Sequence, residues 1–80
     1  MKIPAIKKLI ENHQVAELLN AETQLMNGEV PSIEIEGNDE GEQLTHIIAA
    51  IWIMEEMKNK DIDFKDSLRA YTKKVRESIN

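Results

Sequence analysis

Between Leu44 and Met57 the apolar residues are too dense for a single helical face. Leu44, Ile47, Ile48, Ile51 and Met54 recur at three- and four-residue steps along one side of a helix. His46, Ala50, Ile53 and Met57 recur at the same steps on another side, with Ala49 beside them, and Trp52 stands on the border between the two seams. The pattern predicts a helix over about 40–59. Asp39 is its N-cap, and Glu42 three residues on completes a capping-box spacing. Glu40 and Glu42 in the first turn, and Lys58 and Lys60 at the far end, carry the charges that the helix dipole favours.

The remaining elements follow from weaker patterns. Ile3, Ile6, Leu9 and Ile10 form a stripe that predicts a short helix over about 4–12, with Pro4 at the first helical position, where a missing N–H leaves no bond unmade. Val15, Leu18, Leu19, Leu25 and Met26 share a face over about 14–27, and Gly28 supplies a left-handed terminus. The break near Asn12-His13 is open to two readings, separate helices or one kinked helix. Phe64, Leu68, Tyr71, Val75 and Ile79 predict an amphipathic helix over 64–79, with Asp63 as N-cap and Asp66 at the third position. Pro31 opposes helix, and Ile33-Glu34-Ile35-Glu36 alternates with period two. A short extended or β segment is therefore expected at about 31–36, either paired with a copy of itself or lying as an arm on the helices. The fold class that results is mainly α: one four-helix domain over 1–80, with the extended segment between helices two and three.

Composition turns the doubly apolar helix into a question about partners. A chain of 80 residues buries only about 60% of the surface that its unfolded form exposes. With no cysteine, neither a disulfide nor a thiolate metal cage reinforces it. Two arrangements satisfy the seams. Either the chain's own helices cover both, with the third helix central, or a second copy covers one. Small size and absent staples favour the second arrangement, a homodimer or higher homo-oligomer. Its contact would be His46, Ala49, Ala50, Ile53 and Met57, where the alanines admit a close helix. On that reading Ala50→Glu breaks the oligomer and leaves much of the helix content.

Charge adds a second surface. The net charge is −5, and the excess lies in residues 29–42, which hold six carboxylates and no base. Glu34, Glu36, Asp39 and Glu40 there offer a surface to a basic partner. Lys65, Arg69, Lys73 and Arg76 form a basic stripe on the fourth helix. They support an alternative reading as a nucleic-acid accessory protein, which an overall negative field disfavours. The longest apolar run, Ile47 to Met54, is eight residues, against about 20 for a bilayer span. The segment Met1–Lys8 lacks the apolar core of a signal peptide. No membrane association and a cytoplasmic setting are expected.

Chemical motifs are sparse. Glu42 and His46 stand four residues apart, and with Asp39 they are the candidates for a metal- or small-ligand-binding module. The chain has neither a His-Glu-x-x-His motif nor the paired Glu-x-x-His motifs of diiron bundles. No serine or threonine carries a nucleophile signature, and His13 reads as a solvated linker residue. No catalytic residue and no cofactor is expected.

Three segments carry a resemblance: Ser32-Ile33-Glu34-Ile35-Glu36-Gly37, Asp39-Glu40-Gly41-Glu42-Gln43-Leu44-Thr45-His46 and Tyr71-Thr72-Lys73-Lys74-Val75-Arg76. They resemble a functionally uncharacterised family of small bacterial proteins of about this length, and Glu40 to His46 is the most specific part. The resemblance implies a bacterial cytosolic setting and assigns no site residue. The expectation from all these features is a small non-enzymatic homo-oligomeric interaction protein. It would self-associate through helix 40–59 and offer its acidic connector to a partner.

Overall fold

The chain forms α1 (Ile3–Asn12), α2 (Val15–Met26), α3 (Glu40–Lys60) and α4 (Phe64–Ile79). The structure is a computed structural model that describes residues 1–79, with side chains through Ser78. The side chain of Ile79, placed above on the α4 stripe, lies outside the described residues. α1, α2 and α4 each pack against α3. The four-helix, mainly α class read from the pattern is the class observed.

α3 is central because it is apolar over most of its circumference. Ile47 and Ile51 are buried on one seam, and His46, Ala49, Ala50 and Ile53 on the other. The two alanines carry nothing beyond Cβ, which lets neighbouring backbone approach. On the α4 side the Ser67 hydroxyl, fully buried, donates to the Ile53 carbonyl at 2.9 Å. Trp52, at the border of the seams, meets Tyr71 with ring centroids 5.5 Å apart and planes tilted by 51°. That is a favoured aromatic arrangement. Burial also pushes the Tyr71 hydroxyl above its ordinary pKa.

α1 and α2 are separate helices. His13 and Gln14 are both extended, at φ −139°, ψ 155° and φ −87°, ψ 159°. The Gln14 N–H donates to Glu17 Oε1 at 2.9 Å, which satisfies one donor that the new helix cannot. At the other end Gly28 is left-handed at φ +76°. Its N–H donates to the Leu25 carbonyl at 3.1 Å, and the Glu29 N–H donates to that of Gln24 at 2.8 Å. This is the paired-bond Schellman terminus. A Cβ at Gly28 would meet nothing within 4 Å, so Gly28→Ala isolates backbone strain. The expected loss is about 1 kcal/mol, seen as a lower urea midpoint at unchanged slope.

The connector contains no strand, but its alternation is real. Ile35 is buried, Ile33 half-buried, and Glu34 and Glu36 are exposed. It lies as an arm on the helices, and α3 side chains replace the missing strand partner. Gln43 Nε2 donates to the Ile35 carbonyl at 3.2 Å, and His46 Nδ1 bonds the Glu36 carbonyl at 2.7 Å. Asp39 then caps α3, accepting the Glu42 N–H on Oδ1 at 2.8 Å. The Glu42 carboxylate reaches one residue further back than a capping box requires, accepting the Asn38 N–H at 3.3 Å. Asp63 caps α4 by accepting the Asp66 N–H at 2.9 Å.

Candidate interaction surfaces

His46 is where the structure departs furthest from the surface role read for it. The ring has no exposed area. Its Nε2 accepts the Lys2 backbone N–H at 2.9 Å, so the ring proton sits on Nδ1 and is donated to the Glu36 carbonyl. One imidazole thus ties the N-terminal segment and the arm to α3. Both ring nitrogens are engaged, and Asp39 and Glu42 bind backbone N–H groups at the start of α3. The metal candidates Asp39, Glu42 and His46 therefore do not converge on a common point. Among the described residues no cluster of three metal-binding side chains occurs.

The self-association seam is likewise interior. Ala49, Ala50 and Ile53 are as fully enclosed as His46, and Met57 is half-buried. A second copy cannot reach these residues without opening the fold. The contact assigned to them is corrected accordingly. Helical spacing reports that a face is apolar, not which chain covers it.

The apolar surface left open lies elsewhere. Ile48, on the seam first assigned to the chain's own core, is 43% exposed, with Leu44 half-buried one turn away. On α2, Leu19 is 45% and Met26 is 71% exposed. α2 runs antiparallel to α3, because its first turn shares a cavity with Met54 and its far end leads through the arm to Asp39. This places the exposed Leu19 and Met26 of α2 alongside the N-terminal half and middle of α3. Glu17 faces the α1 side, where it lines a cavity with Ile10. The flank of α2 opposite Glu17 carries Val15, Leu19 and Met26. Exposed apolar side chains thus occur on both of these packed helices.

The charged surfaces stand where the sequence puts them. Glu34, Glu36, Asp39 and Glu40 are exposed. Glu36 lies 3.8 Å from Lys8 Nζ, a solvent-exposed pair of little energetic weight. Lys65, Arg69, Lys73 and Arg76 are all exposed on the outer side of α4. Lys73 lies 4.0 Å from Glu77.

One residue read as a solvated linker has a different place. His13 is half-buried between α1 and α2. Its Nδ1 lies 3.6 Å from Glu17 Oε2, enclosed and without a hydrogen-bond partner. The N–H of Gln14 donated to Glu17 holds that carboxylate below its ordinary pKa. His13, Glu11, Gln14 and Glu17 line a cavity of about 290 Å³ whose apolar side is Ile10 and Met54. The same Ile10 and Met54 continue into a second cavity of about 380 Å³, with Met57, Lys58 and Ile62. The two adjoin at Ile10 and Met54 as one groove, mainly polar where Glu11, His13 and Glu17 line it and mainly apolar toward Met57 and Ile62, with Lys58 at that end. Nothing in the chain's periodicity marks it, because its walls come from three separate segments.

No described helix is long and apolar enough to cross a membrane. No curated protein and no solved structure matches the chain. One family model matches it over residues 1–80, end to end. That match takes in every helix and the arm, and the chain belongs to the Family of unknown function (DUF6952).

Proposed function

We propose that this protein is a non-enzymatic, homo-oligomeric interaction module of the bacterial cytosol. It self-associates through the strip formed by Leu19 and Met26 of α2 and Leu44 and Ile48 of α3. The observation that supports this reading is exposure. Single exposed apolar residues are ordinary, but Leu19, Met26 and Ile48 are exposed and Leu44 is half-buried on two helices that pack together. Covering Leu19 and Ile48 in a contact would contribute about 1 kcal/mol per side chain. A domain of this size benefits from that support. α3 still provides part of the contact, as read from the sequence, but from its opposite seam. The acidic arm is a second surface. Glu34 on the arm and Glu40 at the start of α3 are exposed, with no ion pair among the described residues, which suits a basic partner.

Solution mass tests the proposal. Light scattering on the native chain should give a multiple of 9.2 kDa. Ile48→Glu and Leu19→Glu should lower it to the single-chain mass, with helix content retained because both positions are already exposed. A native protein that stays at single-chain mass at the highest attainable concentration excludes self-association.

A further inference from the structure

We infer that the groove between α1 and the C-terminal half of α3 receives an amphipathic helix of a partner protein, one whose apolar stripe is edged by Lys or Arg. The floor is Ile10, Met54, Met57 and Ile62, each half-buried in the isolated chain. Methionines are unbranched and repack around differently shaped guests, and helix-binding grooves use them for that reason. Charge selects among guests. At one end the groove presents the carboxylates of Glu11 and Glu17 beside His13 Nδ1, the enclosed atom that lacks a hydrogen-bond partner. At the other end stands Lys58. Lys or Arg on the guest helix therefore faces Glu11 and Glu17. The guest's N-terminus, the positive end of its dipole, points the same way, and its C-terminus points toward Lys58.

A second copy of this chain is a poor occupant. The helices here with an apolar stripe and a basic edge are α1, edged by Lys7 and Lys8, and α4; Ile6 and Leu9 anchor the first in the chain's own core, and Ser67 and Tyr71 the second. Offering either to a neighbour would unfold the donor.

The four methionines make the test direct, since Met54 and Met57 line the groove while Met1 and Met26 are exposed away from it. The protein is labelled with ¹³C-methyl methionine and titrated with a synthetic amphipathic peptide carrying Leu on its stripe and Lys on its edges. The methyl signals of Met54 and Met57 should move while that of Met26 stays. The same peptide with Glu on its edges should bind at least about tenfold more weakly. The double variant Glu11→Gln, Glu17→Gln should bring the two peptides to the same affinity. Gln at position 17 still accepts the Gln14 N–H, so the helix start survives. The inference is overturned if Met54 and Met57 do not move, if Met26 moves instead, or if both peptides bind the native protein equally. It is also overturned if Met54 and Met57 shift with protein concentration alone, which would make the occupant a second copy.

Discussion

Ala50→Glu should unfold this protein and not merely dissociate it. Ala50 has no exposed area, and it sits on the α3 face that also buries His46 and Ile53. A glutamate there has neither the room nor a cation to meet. An uncompensated buried charge, added to overpacking, costs about 4 kcal/mol or more. The whole stability of an 80-residue domain is about 4–12 kcal/mol, so most of it goes. Far-UV circular dichroism at 25 °C should show most helix signal lost, while Ile48→Glu, two residues away on the exposed side, keeps it. If Ala50→Glu instead keeps its helices and only loses mass, the seam is a surface between copies and the α3-centred fold is wrong.

The second large effect belongs to His46. Truncation in His46→Ala removes the acceptor of the Lys2 N–H and the donor to the Glu36 carbonyl, and it leaves a cavity beside both. Together these should cost about 3–5 kcal/mol. Partial mimics separate the two bonds. Asparagine places an N–H near the position of Nδ1 and can keep the arm. Glutamine places an oxygen near Nε2 and can keep the N-terminal segment. Both should fall between native and alanine in urea unfolding. A His46→Ala variant within about 1 kcal/mol of native would show that the ring does not hold these segments together.

The parts of this structure legible in its sequence are those decided locally. Asp39, Asp63 and Gly28 each act within a few residues of themselves, and each end forms where it is read. The four helices follow for a similar reason, since a stripe is a property of one segment. The arm was legible as a pattern but not as a structure. Alternation at Ile33 and Ile35 shows one apolar side, yet the partners of the carbonyls are side chains of α3 and not another strand.

The assignment of the two α3 seams failed because both have the same period. What separates them is the convergence of Lys2 and Glu36 on His46, across 44 and 10 positions of chain. No local pattern encodes that meeting. His13 was misplaced for the same reason. Its neighbours in sequence are polar, while Met54, which shares its cavity, is remote. The exposed strip and the groove both draw on more than one helix, so each becomes visible only once the helices are docked.

The hub position of α3 has a consequence during synthesis. α1 and α2 leave the ribosome before α3, and each finds its packing surface on that helix, not yet translated. Until Lys60 has emerged, the nascent chain carries two short amphipathic segments with nothing to cover them, and isolated helices of that length are marginal in water. Folding should then proceed as one late, concerted collapse. Fragments that end before the hub is complete should remain exposed to chaperones and proteases.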